Sequence, residues 1–271
     1  MLRKLLKHEI METARWMLLG YAALIVLDGV VALFFSINDQ MINNYLVFQV
    51  IRGIASALYG ILMVGVPLLT VVVIVVRFYR SCFTDQGYLT FTLPVKNGQH
   101  ILSKLIVAMM WMVITIVVTM LSVGLIALSS GGTSGIGELA GGMARGFGEL
   151  CQMGAGFLPF AFLIAVLLGI ALEVLHFYAA IAVGQLANTH RGLLGVGVYV
   201  GISILLQALA VMAMYFLGNN HFMSGMSSAS TEVMLGMIQG FTGLGIAVEA
   251  LITGVLFAVT YNLLDKHLNL R

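Results

Sequence analysis

This sequence is short of charge. Only 9% of its 271 residues are Asp, Glu, Lys or Arg, and 61% are hydrophobic, whereas a soluble domain carries roughly a quarter charged residues. That balance excludes a water-soluble globular domain, and with it a basic nucleic-acid-binding surface. Cysteine is scarcer still: the two thiols, Cys82 and Cys151, cannot make a disulfide framework, and no C-x-x-C or H-E-x-x-H spacing offers a metal site. Neither a nucleophile elbow nor a phosphate loop stands in the chain. Low-complexity tracts and internal repeats are also missing, so the inverted repeats of many secondary transporters find no support here.

What remains is apolar length. Each crossing of a bilayer needs ~20 apolar residues to span ~30 Å of hydrocarbon, and six windows meet that need. They run over about 16–37, 54–76, 104–128, a longer stretch inside 153–186, 193–217 and 241–264. Pro67 lies inside the second window and is expected to kink it. The fourth window exceeds one crossing, so tilt, a break at Pro159 or an extended end must absorb the surplus. The expected fold is therefore an all-α polytopic membrane protein, a single transmembrane domain over 1–271 with no room for a nucleotide-binding domain.

The connecting segments have their own patterns. In residues 1–15, Leu2, Leu5, Leu6 and Ile10 recur at helical spacing while Arg3, Lys4, Lys7 and Glu9 lie elsewhere, the pattern of an interfacial amphipathic helix. Glu9 and Glu12 break the basic head of a signal peptide and no small-residue cleavage site follows, so this segment is expected to be retained. Residues 129–152 and 218–240 are too polar to span and form two outer segments. The first holds a short helix through Ile136, Leu139, Met143, Phe147 and Leu150, and the second turns helical after a Ser230 or Thr231 cap.

Orientation follows from the basic residues. With the N-terminus inside, Arg3, Lys4, Lys7, Arg15, Arg77, Arg80, Lys96, Lys104, Arg191, Lys266 and Arg271 are inner, and only Arg52 and Arg145 are outer. Eleven of the thirteen Lys and Arg residues thus lie on one side, which places both termini in the cytosol of a multi-pass cell-membrane protein. Cys82 and Cys151 then fall on opposite sides of the bilayer.

Ionisable groups within a span are costly and are the default functional candidates. Asp28, Glu173 and Glu249 qualify, and His176 lies three residues after Glu173 on the same helical face. Two readings stand for Glu173 and His176: a proton-handling or substrate-contacting pair, and a polar clasp between packed helices, the clasp being preferred. Asp28 and Glu249 lie nearer the outer ends of their helices, where hydration is an adequate account. The paired glycines Gly195 with Gly197 and Gly243 with Gly245 follow no strand and read as close helix packing.

The longest polar interruption on the inner side is Arg77 to Lys104, RFYRSCFTDQGYLTFTLPVKNGQHILSK. Asp85 can cap a helix there, Tyr88, Leu89 and Phe91 give it an apolar edge, and Pro94 ends it. Such a helix fits a groove on a cytosolic partner. The runs DQGYL, TLPV and ILSKL resemble the cytoplasmic loop between the second and third spans of type-2 permease subunits of ABC transporters, as do the N-terminal helix and six-span layout. By that resemblance the loop is a coupling helix docking into a separate ATPase, with Asp85, Gly87, Leu89, Leu93, Pro94 and Lys104 matching the pattern. Phe83, Tyr88 and Phe91 join that interface, and Asn188, His190 and Arg191 form a second, smaller contact. Gln86 stands where a second acid is usual, TFTLPVKNG is spaced differently from the commonest form, and the outer segment 129–152 is longer than expected.

The resemblance implies the membrane subunit of an ATP-driven exporter. It would pair with a second copy or a related permease, and ATP and magnesium would bind the partner ATPase, with no cofactor or metal in this chain. Other classes stay open from the residues alone: a proton-coupled secondary transporter or channel, an intramembrane enzyme, and a membrane protein that senses or protects against a peptide.

Overall fold

A computed structural model describes residues 2–36, 45–84, 97–129, 133–187, 190–217 and 230–266. Among the described residues there are seven helices and no strand: α1 (Leu2–Ser36), α2 (Leu46–Phe83), α3 (Asn97–Ser129), α4 (Thr133–Gln152), α5 (Phe157–Gly184), α6 (Arg191–Leu217) and α7 (Thr231–Lys266). All but α4 are long and apolar enough to cross a membrane, in the six places that the apolar windows mark.

Several helices are longer than their apolar windows. A single helix covers Leu2–Ser36, where a separate interfacial helix followed by a span was expected. Its 35 residues extend about 52 Å at ~1.5 Å per residue, well beyond the ~30 Å of hydrocarbon. The first turns belong to the bundle because Glu9 and Thr13 point inward and are held there by α2 and α3. Helix α2 passes through Pro67 without interruption. Pro159 breaks nothing either, since it stands in the first turn of α5, where a missing N–H has no intrahelical acceptor to lose. The surplus length of the fourth window goes instead into a turn after α4. Gly154 adopts φ 77°, Ala155 N donates to Leu150 O (2.7 Å) and Gly154 N to Cys151 O (3.1 Å). That pair of bonds is a Schellman cap, whose left-handed position suits a residue without Cβ.

By its contacts the chain divides into two compact units, 1–80 with 102–146 and 81–101 with 147–271. In the first, Met17, Tyr21, Leu24, Val66, Val107 and Trp111 form the apolar core. A seam of polar bonds runs through the same helices. Thr13 meets Trp111 (2.8 Å), Tyr21 meets Thr115 (2.8 Å), and Asp28 meets Ser122 (2.7 Å). These partners rise together along α1 and α3, so the two helices run parallel. Thr70 meets Thr115 (2.9 Å) and Tyr59 meets Ser122 (3.1 Å), in falling order along α2. Helix α2 is therefore antiparallel to both, the order that three successive crossings require.

In the second unit α5 packs against both α6 and α7, and Ala161, Ala171, Ala179, Ala180 and Ala182 are buried along it. Small side chains let helix backbones approach closely in a membrane. At Gly184 and Gly195 the backbones of α5 and α6 lie so near that a Cβ on Gly184 would stand 2.8 Å from Gly195 Cα. Among the described residues Gly197, Gly243 and Gly245 meet no neighbour, so of the two expected glycine pairs only Gly195 packs against another described helix.

Candidate functional site

The expected partner-binding stretch is described only at its margins. Asp85, Gly87, Tyr88, Leu89, Phe91, Leu93, Pro94 and Asn188 lie outside the described residues. Phe83 is the last residue of α2, half-buried. His190 is exposed and takes φ 56°, and its carbonyl accepts from Leu193 N (3.0 Å) and Leu194 N (3.1 Å), starting α6. Arg191 Nε donates to Ala187 O (3.2 Å) across the same short connection.

Of the ionisable groups in the spans, Glu173 and His176 are brought together through a third residue, Tyr199 of α6. The Tyr199 hydroxyl donates to Glu173 Oε1 (2.9 Å). His176 Nε2 lies 3.1 Å from the Tyr199 carbonyl oxygen; a carbonyl only accepts, so this nitrogen carries the proton. The His176 ring also stacks on Tyr199 with centroids 4.3 Å apart, and Phe177 stacks on the same ring at 4.8 Å. His176 is only 3% exposed. Hydroxyl, ring and carbonyl of one residue thus tie two consecutive turns of α5 to α6, the geometry of an interhelical clasp.

Glu249 was expected to be hydrated near a helix end. It is half-buried against α5, its Oε1 lying 3.0 Å from where a Cβ on Gly169 would stand. Gly169 is one turn before Glu173, so both carboxylates sit along the same stretch of α5. Asp28 also departs from expectation, being 3% exposed. Ser122 supplies the proton that water was expected to supply, and Ser122, its own proton committed, accepts from Tyr59.

No family model, curated protein or solved structure matches this chain.

The most strongly charged cluster among the described residues was not among the candidates. Glu9 of α1 accepts from Arg77 Nε of α2 (3.0 Å) and from Lys104 Nζ of α3. Arg77 also pairs with Glu12, which has His8 at 3.5 Å. Side-chain exposure is 4% at Lys104 and 12% at Glu9, so these charges depend on one another for solvation. In the sequence Glu9 is one of several charges on an amphipathic helix and Lys104 one position of a loop pattern. Nothing local joins them.

The clasp makes a graded prediction. Tyr199→Phe removes the donor to Glu173 and keeps the stacked rings, so it should lower stability by about 0.6–1.7 kcal/mol, the range for hydrogen bonds between membrane helices. Tyr199→Ala, which also loses both ring contacts, should cost clearly more in detergent unfolding. Equal losses in the two variants would rule out a contribution from stacking.

Proposed function

We propose that this chain is the membrane-spanning permease subunit of an ATP-driven transporter, an exporter of the type-2 ABC class. On this reading it works as a dimer with a second copy or a related permease, and a separate ATPase that binds ATP and magnesium drives it from the cytosol. The observation that carries the reading is the stretch 77–104, with DQGYL and TLPV in order between the second and third apolar helices and ILSKL near the start of the third. Six apolar helices provide the transmembrane body. The two cations that bracket the stretch, Arg77 and Lys104, share one carboxylate on α1, so a push on the stretch would reach the N-terminal helix directly. Helix α7 leaves Gly236, Gly240, Gly243, Ala247, Ala250 and Gly254 exposed at alternating spacings of four and three, a surface on which a further membrane helix packs closely. ATP-driven closure of the partner would then shift the helices between two packings.

Purification from the native host in mild detergent should bring an ATPase down with the chain. Leu89→Asp or Phe91→Asp, each placing a charge on the apolar edge, should lower ATP-driven transport at least about tenfold by breaking a helix-in-groove contact. Absence of an ATPase together with unchanged transport in both variants would defeat the proposal.

One observation favours a second reading. Glu173, His176 and Tyr199 make an ionisable cluster within the apolar helices, as a proton-coupled carrier or channel requires. Transport in proteoliposomes that needs no ATP, follows a pH gradient and is lost in Glu173→Gln would establish it over the first.

A further inference from the structure

Helix α1 sorts its charges by direction. The acids of its N-terminal half, Glu9 and Glu12, turn to α2 and α3 and are taken up by Arg77 and Lys104. Its bases Arg3, Lys7 and Arg15 are exposed. Lys7, Met11, Arg15 and Leu18 succeed one another at spacings of four, four and three, so they form one continuous strip along the helix. Met11 and Leu18 are exposed as well. The strip therefore begins basic and becomes apolar, continuing through Ile25. Trp16 stands at the axial level of the change-over, about 100° round the helix from Arg15 and 61% exposed, with the amphipathic ring that favours the boundary between hydrocarbon and headgroups.

We propose that Arg3, Lys7 and Arg15 form a binding surface for anionic phospholipid in the leaflet on the N-terminal side of α1. Charge complementarity selects this occupant: the strip offers cations whose neighbouring carboxylates are already engaged on the other flank of the helix. Geometry sets its depth. Lys7 and Arg15 are about 12 Å apart along the axis, and their long side chains extend toward one headgroup layer of about 5–8 Å from the two sides. Trp16 fixes that layer next to Arg15, because the apolar strip beyond it matches acyl chains. The attraction is sequence-independent and coulombic, so it falls with salt as surface electrostatics do. It does not rest on the transport reading.

Trp16 supplies a local reporter. The full chain is reconstituted in phosphatidylcholine vesicles containing a fixed fraction of either brominated phosphatidylglycerol or brominated phosphatidylcholine, and tryptophan quenching is compared. The chain's other tryptophan, Trp111, is buried in the first unit. Brominated phosphatidylglycerol should quench roughly twofold or more above brominated phosphatidylcholine, as a local excess of anionic lipid demands. The excess should disappear at about 0.5 M salt, and in Arg3→Gln/Lys7→Gln/Arg15→Gln, while quenching by brominated phosphatidylcholine persists in both. It should also vanish in Trp16→Phe and survive in Arg145→Gln. Equal quenching by the two lipids in the unaltered chain overturns the proposal. So does an excess that survives the triple substitution, high salt or Trp16→Phe. The salt measurement uses the unaltered chain and decides the matter even if the triple variant folds poorly.

Discussion

Glu9→Ala should lower the stability of the chain by about 3–5 kcal/mol, the penalty for stranding one partner of a buried ion pair. The Lys104 side chain is 4% exposed and cannot recover water on losing its carboxylate without dragging the start of α3 outward. Arg77 keeps Glu12 as a partner, so the loss concentrates on Lys104. Glu9→Gln should recover little, because an amide offers an acceptor but no charge. Pairing Glu9→Gln with Lys104→Met removes both charges together and should restore most of the stability, since replacing a buried pair by apolar groups is often neutral. Denaturant unfolding in detergent of the original chain, Glu9→Gln, Lys104→Met and the double variant gives the coupling as a double-mutant cycle. A Glu9→Ala variant within about 0.5 kcal/mol of the original, the range of ordinary surface substitutions, would remove the cluster from any structural role. On the transport reading, the stable double variant is the more useful one. It separates holding α1 in place from conveying force out of the stretch between Arg77 and Lys104.

Gly184→Ala should destabilise the second unit by about 1–3 kcal/mol, the cost of overpacking a well-filled interior, and Gly184→Val by more. A Cβ at Gly184 would stand 2.8 Å from Gly195 Cα, 2.9 Å from Gly195 N and 3.0 Å from Arg191 O. Every obstacle is backbone. No rotamer change relieves it, and α5 and α6 must part, which also stretches the bonds from Tyr199 to Glu173 and His176. Gly195→Ala is the informative control. A Cβ there meets Ala180 O at 3.4 Å and Gly184 Cα at 3.9 Å, near ordinary contact, so its cost should stay within about 0.5 kcal/mol. Gly197→Ala, with nothing nearby, should be neutral or slightly stabilising in a helix interior. If Gly184→Ala and Gly195→Ala unfold together, the close approach of α5 and α6 at Gly184 is not a source of stability.

Composition and apolar run length alone determined that this chain is an all-α membrane protein with six spans. The test there is local: the number of consecutive apolar residues set against the thickness of a bilayer. Helix punctuation put a cap at Ser230 or Thr231, where α7 begins, and apolar spacing marked the helix within 129–152. Direction was less legible. The amphipathic pattern of residues 1–15 marks a helix but does not show that Glu9 turns into a bundle, because that depends on Arg77 and Lys104, 68 and 95 residues away. Asp28 looked hydrated until Ser122, 94 residues away, covered it. Glu173 and His176 shared a face in the sequence, but Tyr199, the group that unites them, carries no local mark. Of the many glycines, only the packing of α5 on α6 distinguishes Gly184 from Gly197. Tertiary structure decided these points because the rotation and register of a helix against its neighbours fix which side chains meet, and neither quantity is encoded in any single stretch of chain.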